Sequence, residues 1–312
     1  MEYRILGRTG LEVSVAGLGC GGPSRIGQKQ NKSDADSIRV VREALDAGIN
    51  IIDTAETYGT ETLVGKALSE VRRDDVIIST KKSTWGDAVL TKEAISDSVD
   101  ASLERLGTDY IDIYHLHAVL PDAYRSVRDE VAPILLDLKE KGKIRFLGIT
   151  EMFHRDSGHA MLQQALLDDC WDVMMVGFNL LNQSARDRVL AGTLEKNIGT
   201  LIMFAVRRAL SRKEHLQETL KSLLDRGLLD AGSVDLNEPL EFLLHESGAS
   251  DVTEAAYRYC RHEPGVDVVL SGTGNVEHLR TNIQSMLRED LPEADREKLN
   301  ALFARVDDIS AD

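Results

Sequence analysis

Three short apolar runs in the first 120 residues each end in an ionisable side chain. The runs are Asn50–Asp53, Val76–Lys81 and Ile111–His117. Apolar runs of this length, separated by helical segments, are typical of buried strands in a parallel sheet. When such a sheet closes into a barrel, the carboxyl ends of its strands surround one pocket. The sequence therefore predicts an acid/base site at the mouth of an α/β barrel.

The rest of the chain continues the alternation of strand and helix. The helix that follows Thr91 places Ile95 and Val99 on one face and ends at Gly107, because glycine readily takes the left-handed conformation of a helix C-terminus. Five further strands are predicted: Val13–Leu18, Ile144–Ile149, Val173–Gly177, Thr200–Phe204 and Asp267–Leu270. Eight strands with intervening helices predict a (β/α)8 TIM barrel formed by a single domain, 1–312. The segment 205–253 breaks this rhythm, and we expect it to form extra helices over the rim.

Composition limits the partners of the chain. Its formal net charge of −15 argues against nucleic acid or an anionic membrane surface as the main partner. No apolar run approaches the ~20 residues that cross a bilayer, and the N-terminus lacks the apolar core of a signal peptide. Cys20, Cys170 and Cys260 show neither CxxC nor Cys/His spacing, so no metal site is predicted. These features indicate a cytoplasmic protein that acts on a small molecule, and they leave the oligomeric state open.

The ionisable strand ends suit the interconversion of a carbonyl and an alcohol. Reduction needs an acid that protonates the developing alkoxide, and Tyr58 can supply that proton if its pKa falls from about 10 toward neutrality. A neighbouring ammonium such as Lys81 lowers the pKa of a tyrosine, and Asp53 can hold that ammonium in place. A neutral His117 can donate a hydrogen bond to the carbonyl oxygen. His115, two residues earlier on the same strand, is interpreted as a core histidine whose hydrogen bonds are satisfied.

Several separated motifs resemble those of the aldo-keto reductase family. They are Asp53-Thr54-Ala55-x-x-Tyr58-Gly59 with Glu61, Lys81 at a strand end, Asp112-x-Tyr114-x-x-His117, Gly142-Lys143-Ile144-Arg145-x-Leu147-Gly148, and Gly272-x-Gly274-Asn275 with Asn282. The opening segment, from Tyr3 to Leu11, is similar to the N-terminal β-hairpin with which that family plugs the barrel floor. The resemblance covers nearly the whole chain and preserves the order of the motifs.

The resemblance implies a mechanism and a cofactor. Tyr58 would be the general acid or base, Lys81 and Asp53 would tune it, and His117 would orient the substrate carbonyl. The cofactor would be NAD or NADP, with Phe204 stacking on the nicotinamide. The positions that match the pyrophosphate and adenosine contacts are Gly272, Gly274, Asn275, His278 and Asn282.

Three departures from the family pattern concern the cofactor. Thr150 and Glu151 replace a Ser-Asn pair, and Met175 replaces a glutamine, so the side chains that hold the carboxamide are altered. We hypothesise that the negative charge of Glu151 favours the oxidised cofactor. The third departure is a missing cation for a 2′-phosphate, since only Arg280 lies near those positions. A phosphate is commonly bound by a bidentate cation, so NAD is slightly favoured over NADP.

Other assignments stay open at this level. Trp85 follows the strand that ends near Lys81 and is predicted to line the substrate pocket, with packing of the loop as the alternative role. The basic stretch from Arg207 to Arg212 is compatible with cofactor phosphates or with a solvated face. Because the carboxamide pocket is altered, one alternative is that the chain is a nicotinamide-binding regulatory or scaffold protein with weak or no turnover. A lyase that forms a Schiff base on Lys81 is the other alternative.

Overall fold

The computed structural model describes residues 1–312 as a closed barrel of parallel strands preceded by an antiparallel hairpin. The barrel strands follow one another in chain order, and the last pairs with the first. The hairpin consists of β1 (Tyr3–Ile5) and β2 (Glu12–Ser14). The barrel strands are β3 (Ala16–Gly19), β4 (Ile51–Asp53), β5 (Ile77–Ser83), β6 (Ile111–Val119), β7 (Ile144–Glu151), β8 (Val173–Gly177), β9 (Gly199–Met203) and β10 (Val268–Ser271).

Helices connect the barrel strands on the outside. They are α1 (Asp34–Asp46), α2 (Glu61–Leu68), α3 (Lys92–Leu106), α4 (Tyr124–Ser126), α5 (Ala132–Glu140), α6 (Ala160–Ala165), α7 (Ala191–Glu195), α8 (Arg208–Ser211), α9 (Lys213–Asp225), α10 (Val252–Arg261), α11 (Val276–Leu287) and α12 (Glu293–Phe303). Short π-helical segments, Val127–Val131 and Arg186–Leu190, lead into α5 and α7. No helix combines the length and the apolar character that crossing a membrane requires.

Local signals fix the helix ends as the sequence predicts. The hydroxyl of Thr91 accepts a hydrogen bond from the backbone N–H of Ala94 at the start of α3, and Gly107 ends that helix in the left-handed conformation, with a φ of 67°. Ser33 and Asp36 form a reciprocal capping box at the start of α1. Such caps satisfy backbone groups that have no partner within the helix.

The hairpin closes the floor of the barrel. Leu6, Leu11 and Val13 are buried in one cluster with the inward-facing side chains of the barrel strands. Since side chains alternate along a strand, every barrel strand except β3 contributes apolar residues to this interior. The expected (β/α)8 barrel with its N-terminal β-hairpin is therefore confirmed, and α8 and α9 supply the extra helices predicted after residue 205.

Two strand predictions need correction. The predicted strand Val13–Leu18 is divided, because Ser14 pairs with Tyr3 in the hairpin whereas Ala16 pairs with β10 in the barrel. Sequence alternation continues across this switch and so does not reveal it. The strand that carries His117 also extends to Val119, with a register shift after Leu116.

Candidate active site

A buried ion pair lies where β4 and β5 end. Lys81 is fully buried, and its ammonium donates to both carboxylate oxygens of Asp53 and to the carbonyl of Thr54, each at 2.6 Å. Asp53 also accepts a hydrogen bond from the Ser79 hydroxyl at 2.7 Å. A buried charge pair is tolerated when hydrogen bonds satisfy both partners. All three hydrogens of this ammonium have acceptors, so its position is closely defined.

Tyr58 lies above this pair on a short 3-10 turn, Glu56–Tyr58, directly after β4. The Lys81 ammonium lies 5.3 Å from the centroid of the Tyr58 ring, and the Tyr58 hydroxyl lies 3.2 Å from Nε2 of His117. The opposite side of the ring contacts Gly21, where an added Cβ would lie 2.5 Å from Cζ of Tyr58. The absence of a side chain at Gly21 is therefore what leaves room for the tyrosine.

The pKa of Tyr58 departs from the sequence-based expectation. Burial raises the pKa above its ordinary value, and the Lys81 ammonium lowers it by less than burial raises it. The predicted influence of Lys81 has the expected sign, but the expected net shift toward neutrality is wrong because desolvation of the phenolate is larger. In this structure the Tyr58 hydroxyl holds its proton at pH 7.

His117 faces Tyr58 from β6, next to the irregularity in that strand. Ala118 takes a φ of 57°, and its backbone N–H donates to the Thr150 hydroxyl at 2.6 Å. Irregularities of this kind redirect side chains near functional sites. Burial lowers the pKa of His117 well below 6.5, and Lys81 lowers it further. The imidazole is thus neutral at pH 7 and packs edge-on against Trp85, with the ring centroids 4.7 Å apart.

His115 lies on the same strand, deeper in the barrel. It is fully buried against Gly148, as expected for a core histidine. Neither ring nitrogen has a hydrogen-bond partner, so the expectation that its hydrogen bonds are satisfied is wrong. Burial lowers the pKa of His115 well below 6.5, so this ring is neutral as well.

Glu151 does not present a free charge at the mouth. Its side chain is completely buried, and both carboxylate oxygens lie 3.0 Å from Nδ1 of His159. The same carboxylate accepts the backbone N–H of Gly177 at 2.8 Å. Burial raises the pKa of Glu151, while His159 and Gly177 favour its charged form. The structure thus gives no support to the hypothesis of an uncompensated negative charge at the nicotinamide, because protein donors occupy the carboxylate.

Two aromatic rings, those of Phe153 and Phe204, lie near the pair formed by Glu151 and His159. Phe153 stacks on His159, packs over Gly177, and meets the Phe204 ring edge-on at a centroid distance of 5.4 Å. Phe204 directly follows β9 and has a φ of 66°. Met175 is buried among the apolar side chains of the barrel interior. A thioether is only a weak acceptor, so Met175 replaces the glutamine without replacing its hydrogen bonds.

The turn after β10 lies against the loop that follows β3. A Cβ on Gly272 would lie 3.0 Å from the Gly19 carbonyl, and one on Gly274 would lie 2.5 Å from the Cα of Gly27. The Lys32 ammonium donates to the carbonyl of Gly274 at 2.5 Å. Backbone therefore approaches backbone closely at this edge of the mouth, which explains why both positions hold glycine.

The predicted adenosine-side residues lie on or beside α11. Asn275 is the N-cap of this helix and accepts the backbone N–H groups of Glu277 and His278. Asn282 donates to the Ser271 hydroxyl at 2.9 Å, and His278 is exposed. The Arg280 guanidinium donates to Glu43 at 2.7 Å and to Glu277 at 3.0 Å. The one arginine near these positions is therefore already paired with two carboxylates.

Arg207 reaches the mouth from the segment that follows β9. Its guanidinium stacks over the Phe204 ring at 4.4 Å from the centroid and approaches Gly22 on the loop after β3. It also forms an ion pair with the Asp312 carboxylate, at 2.6 and 3.1 Å. Arg207 belongs to the basic stretch noted in the sequence, and its positive charge lowers the pKa of Tyr58.

The donor set at the mouth fits a nicotinamide dinucleotide. At Gly272 and Gly274 the neighbouring backbone is so close that a Cβ would collide with it. Lys32 and Arg207 supply positive charge to the same edge. Pyrophosphate groups bind at helix N-termini that lie near cations, and α11 begins at Val276, next to the Gly274 carbonyl that Lys32 contacts. Phe204 adds an aromatic surface beside them.

The structure brings Asp53, Tyr58, Lys81, His117 and Trp85 together, and it adds residues that sequence reasoning missed. Gly21 contacts the Tyr58 ring, and Glu56 lies two residues before Tyr58, at a position that the family motif leaves unspecified. His159 is distant in sequence from the predicted positions and carried no motif. These three residues are identified by their contacts in the folded barrel, which a local sequence pattern does not predict.

Comparisons with known proteins agree with this geometry. The family model described as the aldo/keto reductase family matches residues 17–303. The uncharacterized oxidoreductase YqkF of Bacillus subtilis is 28% identical over 312 residues, covering 97% of this chain and 95% of that relative. The NADH-specific methylglyoxal reductase of Escherichia coli is 34% identical over 213 residues, covering 61% of this chain and 63% of its own length.

Solved structures show the same architecture. The holo form of aldo-keto reductase AKR11C1 from Bacillus halodurans superposes with a TM-score of 0.72 at 26% identity, covering 97% of this chain and 96% of that one. The match of the family model to nearly the whole chain, together with the barrel and its hairpin, establishes the assignment. The chain belongs to the aldo/keto reductase family, whose members are NAD(P)-dependent oxidoreductases.

Proposed function

We propose that this protein interconverts a small carbonyl compound and its alcohol, with Tyr58 as general acid in reduction and general base in oxidation. One observation carries this proposal: the Tyr58 hydroxyl lies 3.2 Å from Nε2 of His117 and above a lysine whose ammonium is held 2.6 Å from Asp53. Four side chains from three neighbouring strands and one turn thus meet at a single point of the barrel mouth.

Each side chain has a separate role in the proposed reaction. Tyr58 is protonated at pH 7 and can give its proton to the oxygen of the carbonyl as that oxygen gains negative charge. The Lys81 ammonium, 5.3 Å from the ring centroid, stabilises the phenolate that remains. His117 is neutral, and the tautomer protonated on Nε2 donates a hydrogen bond to the carbonyl oxygen and orients it.

A bound nicotinamide cofactor would supply the hydride in reduction and accept it in oxidation. The residues proposed to hold it are Thr150, Glu151, Met175, Phe204, Gly272, Gly274, Asn275, His278 and Asn282. Of these, Glu151 and Met175 offer the cofactor no free polar group, because the Glu151 carboxylate is already hydrogen-bonded and Met175 lies in the core. We propose that they shape the surface on which the cofactor lies.

We favour NAD over NADP as the cofactor. Arg280 is neutralised by Glu43 and Glu277, and a 2′-phosphate placed near Glu277 would meet a carboxylate of like charge. The relative from Escherichia coli that is named for its NADH specificity supports the same preference. Replacing Glu277 with glutamine should therefore improve NADPH binding more than NADH binding, as measured by quenching of tryptophan fluorescence.

The substrate is proposed to enter beside Trp85. This side chain is 37% exposed, contacts His117, and borders a cavity of about 320 Å³ that Leu120 and Arg155 also line. A cavity of this size suits a small aldehyde, ketone or sugar. Methylglyoxal, named for one relative, is the first compound to test.

The decisive experiment compares wild type with Tyr58→Phe. We expect wild type to oxidise NADH in the presence of methylglyoxal or another small aldehyde, and the variant to lose about 10²- to 10⁴-fold in turnover. Cofactor affinity, measured by fluorescence titration, should not change. Equal turnover in both proteins would refute the role of Tyr58.

The same experiment addresses the two alternatives. A regulatory or scaffold protein would bind the cofactor and show no turnover that depends on Tyr58. A Schiff-base lyase needs a free amine, but the Lys81 ammonium has three acceptors at 2.6 Å. Borohydride should therefore fail to trap a carbonyl compound on Lys81.

A further inference from the structure

Glu56 occupies an unusual position next to the candidate acid. It lies two residues before Tyr58 in the same three-residue turn, and its side chain is 17% exposed. One carboxylate oxygen accepts the backbone N–H of Ser83 at 2.8 Å and the Lys82 ammonium at 3.2 Å. Both partners lie on β5, immediately after Lys81. The carboxylate therefore ties the turn of Tyr58 to the strand of Lys81.

The second carboxylate oxygen extends this connection to a third element. It accepts the hydroxyl of Ser98, on α3, at 2.6 Å. The Ser98 hydroxyl lies 3.0 Å from the hydroxyl of Tyr114, which is buried on β6 three residues before His117. A single side chain thus connects the elements that carry Tyr58, Lys81 and His117.

The turn has few other anchors. No side chain caps it, Thr57 is exposed, and Gly59 ends it with a φ of 73°. Within the turn, only Glu56 and Tyr58 itself form side-chain hydrogen bonds to the barrel strands. The placement of the Tyr58 hydroxyl consequently depends on the contacts of its neighbour.

We propose that Glu56 is a positioning residue, which holds the turn so that the Tyr58 hydroxyl stays within reach of His117 and of the substrate oxygen. This inference rests on the proposed chemistry at Tyr58. Charged hydrogen bonds to Lys82 and Ser83 are stronger and more directional than neutral ones. A catalytic group that moves by about 1 Å can lose about 10²-fold in rate, so a fixed turn matters for turnover.

The experiment compares Glu56→Gln with a matched control, Asp172→Asn. Asp172 is also a carboxylate with a side chain 17% exposed, and it accepts one lysine, Lys139 at 2.9 Å, and one backbone N–H, that of Leu147 at 3.0 Å. It precedes β8 at the floor, close to Arg8. Both substitutions remove one charge from a similar set of partners, and they differ in their distance from Tyr58.

We expect Glu56→Gln to lower kcat at least about tenfold with methylglyoxal as the probe, without changing KM or the Kd for NADH. Asp172→Asn should leave all three values unchanged, even if its melting temperature falls equally. Ser98→Ala removes the hydrogen bond from Ser98 to Glu56 and the contact with Tyr114 but keeps those of Lys82 and Ser83, so it should give a smaller loss of kcat. Equal kcat in wild type and Glu56→Gln would overturn the proposal.

A second readout does not depend on turnover. The ring NMR signals of His117, assigned with His117→Gln, report its contact with the Tyr58 hydroxyl. They should shift in Glu56→Gln and not in Asp172→Asn. If wild type turns over no carbonyl compound, the proposed function fails, and an unchanged His117 signal in Glu56→Gln would separately reject the positioning role.

Discussion

The ring of Tyr58 lies against the backbone of Gly21, so a residue of the first barrel strand's loop limits where the candidate acid can stand. The contact joins two residues that are 37 positions apart in the chain, and no local sequence pattern relates them. The carbonyls of Gly19, at the end of β3, and of Gly21, in the loop that follows, face Gly272 at the predicted cofactor edge. Tyr58 is thus enclosed between its ion pair below and the cofactor edge beside it.

Gly21→Ala should displace Tyr58. The added Cβ would overlap the ring, so we expect kcat to fall at least about tenfold because the hydroxyl shifts, and stability to fall by about 1–3 kcal/mol from overpacking. Gly19→Ala is the control, since a Cβ there has no neighbour closer than 3.8 Å. Steady-state kinetics and urea unfolding measure both effects. Equal losses in the two variants would contradict this explanation.

The pH dependence of reduction should follow Tyr58. Burial raises the pKa of Tyr58 above about 10, so the acid form is present at neutral pH and is lost only as pH rises through that raised value. We expect single-turnover reduction to stay constant from pH 7 to about 10 and to decline above it. An alkaline decline centred near pH 8 would disagree with the burial of this hydroxyl.

Asp312→Asn should tighten cofactor binding. The Asp312 carboxylate neutralises Arg207 beside Phe204, and removing that charge leaves the guanidinium available to the cofactor pyrophosphate. We expect the Kd for NADH to fall by up to about fivefold. Arg207→Gln should abolish this gain in the double variant. Asp308→Asn, which breaks the nearby ion pair with Arg226, is the control and should leave the Kd unchanged.

Acid should destabilise the fold through His115. Its pKa is well below 6.5 in the folded protein and near 6.5 when unfolded, so the unfolded state binds more protons below pH 6.5. The free energy of unfolding should then decrease as the pH is lowered below 6.5, by up to about 1.4 kcal/mol per pH unit for this residue. Urea unfolding at pH 7.5 and 5.5 should show a smaller pH effect in His115→Leu than in wild type. His215→Leu, which replaces a partly exposed histidine, should behave as wild type.

The barrel and the polar residues at its strand ends could be predicted from the sequence pattern, and the N-terminal hairpin was implied by the family resemblance. These features follow from local causes: apolar runs form strands, caps such as Thr91 and Gly107 set helix limits, and polar residues after a strand reach the mouth. Strand alternation could not reveal the switch between hairpin and barrel near Ser14, since the pattern is continuous there.

The balance of charges within the site depends on the folded arrangement and could not be predicted from the sequence. The shift in the pKa of Tyr58 depends on how deeply the ring is buried as well as on Lys81, and the sequence names the lysine but not the burial. Likewise, Glu151 looked like a free charge until the fold placed His159 and Gly177 against it. Desolvation and hydrogen bonding depend on distances across the barrel, and those distances exist only once the strands have closed.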